Sequence, residues 1–438
     1  MEFIALAVAL LAAGLSIYRD RYSPLAWVLC MWAAIFVLYV LRPVRLEPLN
    51  GTALLAISLG LVGLALPSLL PKRAVPQTAY QGNRGASFKR FVVVSAVALV
   101  LLVVGMVGFR MGIAAATGSS YESLTLTQVR AAENGIARGG GLIVLLGALG
   151  PVVSCLGIYG AYRFSRWWWL LSAAAFALVA QNPARILLLS VLVISVVFWL
   201  YARTALSKTD EAPGRRRFPI VATILAVLAG LAYFVYVGAA LSKNGQANAY
   251  SNWLPGWMTT PVMYFLGGIS AFSVATRDGF MPYEWGTTIF TPLRILGSIF
   301  PGVHAPNTIA QAVHAPMWIN IYTGFGQLYF DFGAVGVFVG CALIGTLAVI
   351  AHRRAERGYM EWAWVAAALA AVLFSTPQAF RFLNLDVLFE LVAGFVAFYI
   401  IRWRKPAAVS VSETGEQDTE AEDTPARTGK AESAEKAE

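Results

Sequence analysis

The stretch from Ile319 to Phe338 reads I-N-I-Y-T-G-F-G-Q-L-Y-F-D-F-G-A-V-G-V-F. A polar, aromatic approach leads into a long apolar segment that carries an acid, Asp331, near its start. A carboxylate in hydrocarbon is costly, so this acid needs a physical reason. One interpretation is that Asp331 caps a helix whose Gly333 and Gly336 allow close packing. The other interpretation is a water-filled cleft at the outer edge of the membrane that the helix crosses. Its lining residues would be Asn320, Tyr322, Thr323, Tyr329 and Asp331.

The composition places the chain in a membrane. Hydrophobic residues make up 58% of the 438 residues and charged residues only 13%, which is too apolar for a soluble protein of this size. The net charge is +10, but the bases lie in short clusters between apolar runs, which indicates topology signals and not nucleic-acid binding. The three cysteines fall inside apolar segments, so no disulfide framework or thiolate metal site is expected.

Apolar runs of membrane-spanning length predict the fold class: an all-α polytopic integral membrane protein with about eleven transmembrane helices. The predicted spans are roughly 2–17, 24–41, 51–71, 91–109, 140–161, 167–182, 185–202, 218–239, 327–351, 361–379 and 385–402. Clusters of arginine and lysine occur in every second connecting loop, which places those loops in the cytoplasm. We therefore expect a multi-pass protein of the cytoplasmic (inner) membrane, with the N-terminus outside and the C-terminus inside.

Two outer loops are predicted to be long, at about 110–139 and 240–320, within a transmembrane domain that covers 1–405. The second loop is rich in aromatic residues, and its segment 259–276 is nearly long enough to span. A further span there would reverse the orientation of the basic loop that follows, so we expect a re-entrant or interfacial helix. Residues 406–438 carry nine acids and three bases, which predicts a disordered acidic cytoplasmic tail.

Arg185 is the cation whose position is hardest to explain structurally. It lies on the predicted outer side, against the positive-inside bias, and in the first turn of a helix, where the helix dipole disfavours a cation. A planar guanidinium at that depth suits a phosphate or diphosphate, which it can grip through two hydrogen bonds. The alternative is a side chain that reaches up to the lipid headgroups.

Further charged and polar candidates lie on the same predicted side. Arg381 follows a span, whereas Arg277 and Arg294 flank Asp278 and Glu284 in the large outer loop, where solvated or mutually paired side chains are the default. His314 is a candidate for a hydrogen bond to sugar or phosphate. His304 and His314 lack a carboxylate at metal-ligand spacing, so we expect no metal and no cofactor.

The segment Asn320 to Gly336 resembles one typical of bacterial oligosaccharide repeat-unit polymerases, the O-antigen polymerase family. In that family an Asn-x-Tyr-Thr element precedes a Tyr-x-Asp-Phe-Gly-x-x-Gly helix start. Two weaker matches are Y-F-L-G-G-I-S-A-F at Tyr264 to Phe272 and Pro183-Ala184-Arg185 at the start of an apolar helix. The resemblance covers about residues 180–350.

The resemblance implies a metal-independent glycosyltransferase at the outer face of the cytoplasmic membrane. It would polymerise polyprenyl-diphosphate-linked oligosaccharide repeat units into a surface polysaccharide. Arg185, with Arg381 or Arg277, could bind the departing diphosphate, and Asp331 or Glu284 could act as general base. The remaining candidates would bind substrate: Arg294, Asn320, Tyr322, Thr323, Tyr329 and His314. Expected partners are the lipid-linked oligosaccharide and membrane lipids, with a chain-length regulator and a flippase as candidate protein partners.

Two other activities fit the same pattern of spans and outer arginines. An O-antigen ligase-type transferase uses similar chemistry on a finished glycan, and only the segment Asn320 to Gly336 separates it from a polymerase. A flippase or transporter for lipid-linked oligosaccharides is the main rival from another class. It is expected to carry charged residues deep in several helices around a cationic cavity.

Overall fold

The computed structural model describes residues 1–71, 87–118, 124, 145–181, 185–206, 232, 236, 249–282 and 310–402. These residues are mainly helical, and the strands β1 (Val313–His314) and β2 (Trp318–Ile319) form a short antiparallel pair. The α-helices are α1 (Glu2–Asp20), α2 (Pro24–Leu41), α3 (Gly51–Ala65), α4 (Phe88–Thr117), α5 (Gly150–Arg163), α6 (Trp169–Val179), α7 (Arg185–Leu206), α8 (Gly256–Arg277), α9 (Gly324–Glu356), α10 (Met360–Phe374) and α11 (Leu385–Arg402). Short 3₁₀-helices lie at Leu66–Leu69, Leu146–Leu149 and Arg166–Trp168.

Seven of the described helices are long and apolar enough to cross a membrane, which supports the prediction of an all-α, multi-pass membrane protein. They are α1, α2, α3 with its 3₁₀ extension, α4, α7, α8 and α9. Helices α5, α6 and α10 have 14, 11 and 15 residues, fewer than the roughly 20 that a straight span needs. Helix α11 has 18 residues but carries Asp386, Glu390 and Arg402. The count of eleven spans therefore remains a prediction.

Contacts between helix termini define two ends of the bundle. At the first end, the Glu2 carboxylate at the start of α1 accepts a hydrogen bond of 3.2 Å from the Leu49 N–H, just before α3. At the second end, His352 near the end of α9 contacts Asp20 at the end of α1 and Tyr201 near the end of α7. Helices α1, α3 and α7, and the part of α9 that follows the break at Gly333, thus run in the same direction, from the first end to the second.

Glycines allow the second half of α3 to pack closely on α9. A Cβ atom added at Gly63 would lie 2.7 Å from the Phe338 carbonyl oxygen, and one added at Gly345 would lie 3.0 Å from a backbone oxygen of α3. Gly60, the tenth of the fifteen residues of α3, faces the ring of Phe325. Because lipid gives apolar helices little hydrophobic reason to associate, such close backbone packing is a main source of helix–helix stability.

Hydrogen bonds between buried serine hydroxyls connect the three helices α5, α6 and α7. The Ser154 hydroxyl lies 2.7 Å from the hydroxyl of Ser172 and 2.7 Å from that of Ser195, and all three residues are buried. A buried hydroxyl without a partner is costly, so the cluster fixes how these helices pack.

The segment just before α8 and the last residue of α8 both contact the first end of the bundle. Ser251, just before it, forms an isolated β-bridge with Val44, and Arg277 at its end lies 3.3 Å from the Glu47 carboxylate. Val44 and Glu47 belong to one short connection between α2 and α3. The helix is also long enough to cross a membrane, so the expectation that 259–276 is interfacial or re-entrant stays a prediction.

The predicted outer loop at 110–139 starts too early. Helix α4 continues through Arg110 to Thr117, because the sequence there is rich in alanine, and Gly118 ends it with a left-handed φ of 63°. The remainder of that loop, apart from residue 124, lies outside the described residues. So do almost all of the expected span 218–239, residues 283–309 of the second outer loop and the tail 406–438.

Candidate functional site

Helix α9 begins at Gly324, and its capping residue is Thr323. The Thr323 hydroxyl accepts a 3.0 Å hydrogen bond from the Gly326 N–H, and the side chain is fully buried. Thr323, and not Asp331, therefore caps the start of α9 at Gly324. Asp331 lies well inside α9 and is 6% exposed.

A break in α9 explains why an acid can lie there. Gly333 has φ 64° and ψ −167°, a backbone conformation that is essentially restricted to glycine, so the helix is interrupted two residues after Asp331. An interrupted helix leaves backbone N–H groups without intrahelical acceptors at the start of the next turn. Asp331 is thus a buried acid next to a helix break, in an apolar segment.

Two of the residues that were expected to line a water-filled cleft are buried. Tyr322 is fully buried, its hydroxyl donates to the Gln311 carbonyl oxygen at 2.8 Å, and its ring meets Phe330 edge-on at 5.9 Å. Thr323 is used as a cap. Both side chains were expected to face water but instead hold the approach to α9 in place. Tyr329 is half-buried and packs 5.7 Å from the ring of Phe272, whereas Asn320 is exposed.

A cluster of charged side chains surrounds Arg381 at the first end. The Arg381 guanidinium donates to the Asp386 carboxylate at 2.5 Å and lies 3.4 Å from the Ser190 hydroxyl of α7. The Arg381 side chain is only 14% exposed, and that of Asp386 is 38% exposed. Glu390, one turn further along α11, is 6% exposed. Because Asp386 and Glu390 are four residues apart, they share one face of α11.

These groups line a small cavity between α7, α10 and α11. Its volume is about 10 Å³, enough for about one water molecule. The polar lining residues are Ser190, Ser375, Arg381, Asp386 and Glu390. In this conformation the cavity is too small for a sugar.

Helix α7 brings the backbone of Arg185 close to the same cluster. Arg185 is the first residue of α7 and precedes Ser190 by five residues, about 7.5 Å along the helix axis. The start of α7 therefore lies near Arg381, and a joint role of the two arginines stays a prediction. The Arg185 side chain, and Glu284 and Arg294 entirely, lie outside the described residues.

The start of α9 is bound to the segment that carries Arg381. The Gly324 N–H donates to the Thr376 carbonyl oxygen at 2.7 Å, and the Gln327 side chain accepts from the Phe380 N–H. Asp331 follows Gln327 by one helical turn, about 6 Å along the axis. Asp331 itself is not among the residues that line the Arg381 cavity.

Two other candidates lie elsewhere at this end. Arg277 is exposed and pairs with Asp278 at 2.9 Å and with Glu47 at 3.3 Å, which is the mutually paired default for a surface arginine. His314 is exposed, and its ring meets that of Trp318 edge-on at 5.7 Å. Neither residue contributes to the Arg381 cavity.

Asp386 and Glu390 were not among the residues expected to form the site. The sequence did indicate them. Both acids lie in the first turns of the predicted span 385–402, and a charged residue within a membrane span is costly and points to a function. No family model, no curated protein and no solved structure matches the chain. The site is therefore interpreted from its own residues.

Proposed function

We propose that the chain is a membrane glycosyltransferase that polymerises polyprenyl-diphosphate-linked oligosaccharide repeat units. The first end of the bundle would face outward from the cytoplasmic membrane. The resemblance of Asn320 to Gly336 supports the proposal, and one structural observation carries it. Arg381 is held by Asp386 in a polar cavity beside the start of α7, where Arg185 lies.

In the proposed reaction one C–O bond forms and another C–O bond breaks. A sugar hydroxyl on a single-repeat carrier attacks the anomeric carbon of the growing glycan, and a new glycosidic C–O bond forms. The C–O bond to the first carrier breaks, and polyprenyl diphosphate leaves with the electron pair. The hydroxyl proton passes to a carboxylate, for which we propose Asp331, because α9 is bound to the Arg381 segment. Arginine side chains stabilise the charge on the departing diphosphate.

The charge balance of the cavity makes Arg185 necessary to this proposal. Asp386 already pairs with Arg381, and Glu390 adds a second carboxyl group to the same cavity. Because Asp386 neutralises Arg381, the cavity alone offers a diphosphate no net positive charge. Arg185 at the start of α7 would supply the second cation, and Asp386 would be a positioning residue that orients Arg381.

Replacing the two arginines tests the proposal in cells. We expect Arg381→Gln to shift the surface glycan from long chains to single repeats, with a rate loss on the order of 10². Arg185→Lys should shorten the chains less, because it keeps the charge but loses the two-bond grip. The measurements are the glycan length distribution and the amount of the variant protein in the membrane.

Arg42→Gln is the matched control. Arg42 is an exposed arginine at the same end and lies 3.4 Å from the Glu2 carboxylate, away from the cavity. It should leave the glycan length unchanged. Wild-type glycan from Arg381→Gln at a normal protein level would contradict the proposed role of Arg381.

Transport of a lipid-linked oligosaccharide is the second candidate function. Glu390 favours it, because buried acids that line cavities in membrane proteins often mark ion or proton pathways. Replacing Glu390 with Gln separates the two functions. Accumulation of single repeats on the cytoplasmic face would indicate transport, and accumulation on the outer face would indicate polymerisation.

A further inference from the structure

We infer that Asp20, His352 and Glu356 form a binding site for a divalent transition metal, with Zn²⁺ as the best-fitting ion. The site lies at the second end of the bundle, opposite the Arg381 cavity, and does not depend on the proposed glycosyltransferase activity. It departs from the expectation of no metal, which rested on residue spacing in the sequence. Asp20 and His352 are 332 residues apart, so spacing could not indicate this site.

The donor atoms lie near the separations found around a zinc ion. His352 Nε2 lies 3.1 Å from Asp20 Oδ2 and 3.8 Å from Glu356 Oε1, and the three ligand atoms all lie within 4.8 Å of one another. Ligands about 2.0–2.2 Å from a tetrahedral zinc ion are roughly 3.3 Å apart. Small side-chain rotations would therefore bring all three atoms to bonding distance. His352 and Glu356 are one turn apart on α9 and share a face.

Neighbouring groups hold the ligands in the orientation that a metal needs. His352 Nδ1 lies 2.6 Å from the Tyr201 hydroxyl, and the Tyr22 N–H donates to Asp20 Oδ1 at 3.2 Å. With Nδ1 protonated and directed at Tyr201, Nε2 presents its lone pair to a metal. Metal-binding histidines are characteristically fixed in this way through the second ring nitrogen.

Charge and burial also favour a cation at this position. The side chains of His352, Asp20 and Glu356 are 4%, 14% and 25% exposed. Two carboxylates converge on Nε2, and when the single proton of the neutral imidazole is on Nδ1, Nε2 has no proton to donate to them. A divalent ion would interact with all three ligands at once, and a water molecule would complete the tetrahedron.

The site would act as a clamp on the second end. Asp20 ends α1, Tyr201 lies near the end of α7, and His352 and Glu356 lie near the end of α9. A bound metal would connect these three helices directly or through Tyr201. Metal binding to the folded state alone should then stabilise the bundle.

The experiment measures zinc binding to the purified full-length protein in detergent after chelator treatment. Isothermal titration with Zn²⁺ should give one ion per chain, and Co²⁺ should give the visible absorption of a tetrahedral complex. The chain has three histidines, so the matched control replaces both others, His304→Ala and His314→Ala, and should retain the metal. His352→Ala should abolish the Co²⁺ absorption.

Milder variants distinguish loss of metal from loss of fold. Glu356→Gln should weaken zinc binding strongly in a protein that still unfolds cooperatively. Tyr201→Phe should weaken it by about 10- to 100-fold, as expected for a group that orients a ligand. Absence of zinc binding by the wild-type protein, or full binding by folded Glu356→Gln, would overturn the proposal and leave a hydrogen-bonded triad of Tyr201, His352 and Asp20.

Discussion

Close packing of α3 on α9 predicts that Gly63 cannot be replaced without separating two helices. An alanine Cβ there would lie 2.7 Å from the Phe338 carbonyl oxygen, 3.1 Å from the Cys341 Cβ and 3.2 Å from the Ala342 nitrogen. Two of these three neighbours are backbone atoms, which cannot rotate away. The helices must therefore move apart by several tenths of an ångström.

The magnitude follows from comparison with Gly14→Ala. No described heavy atom outside the local helix lies within 4 Å of a Cβ at Gly14, so that variant only gains helix propensity, up to about 1 kcal/mol. Gly63→Ala gains the same helix propensity but overpacks the interface between α3 and α9, at a typical cost of about 1–3 kcal/mol. We therefore expect Gly63→Ala to be less stable than Gly14→Ala by about 1–3 kcal/mol.

The native cysteines provide the assay. Cys155 and Cys341 are buried, so a thiol-reactive dye reports their exposure as the detergent-solubilised protein is heated. Gly63→Ala should unfold at a temperature several degrees below Gly14→Ala. Equal midpoints for the two variants would refute the claimed close contact between α3 and α9.

Three further stability predictions use the same thermal assay. Thr323→Ala removes the cap of α9 and should cost about 1 kcal/mol, whereas Thr346→Ala, whose hydroxyl bonds within its own helix, should cost clearly less. Ser154→Ala should cost about 1–3 kcal/mol because two buried hydroxyls lose their partner. Ser95→Ala should be neutral, since the Ser95 hydroxyl has no hydrogen-bond partner among the described residues. Trp32→Phe should cost about 1 kcal/mol by removing the 2.9 Å bond to a threonine hydroxyl, and unchanged midpoints would contradict each expected loss.

Hydrophobic runs predicted the fold class because a bilayer requires long apolar helices. They predicted individual spans less well. α10 ends at Phe374, where the predicted span continued to 379, because Ser375 and Thr376 turn back to donate to carbonyl oxygens of the last turn. Hydropathy cannot detect such a local end, since it averages over many residues.

The site was predicted only in part, for reasons that concern particular residues. Arg185 and Arg381 attracted attention because cations in predicted outer loops conflict with the positive-inside bias, and their joint role stays a prediction. Tyr322 was misassigned because a tyrosine that donates to a distant carbonyl looks the same in sequence as one that faces water. Asp386 was overlooked because its role depends on Arg381, and the grouping of Asp20 with His352 depends entirely on tertiary structure.

The most direct test of the central claim is the pool of lipid-linked saccharide in a strain that lacks this protein, together with the membrane face that holds it. A polymerase predicts single repeat units on the outer face and no long glycan. Single units confined to the cytoplasmic face would instead indicate a flippase, and full-length glycan still on its carrier would indicate a ligase. An unchanged pool would contradict a role in glycan assembly altogether.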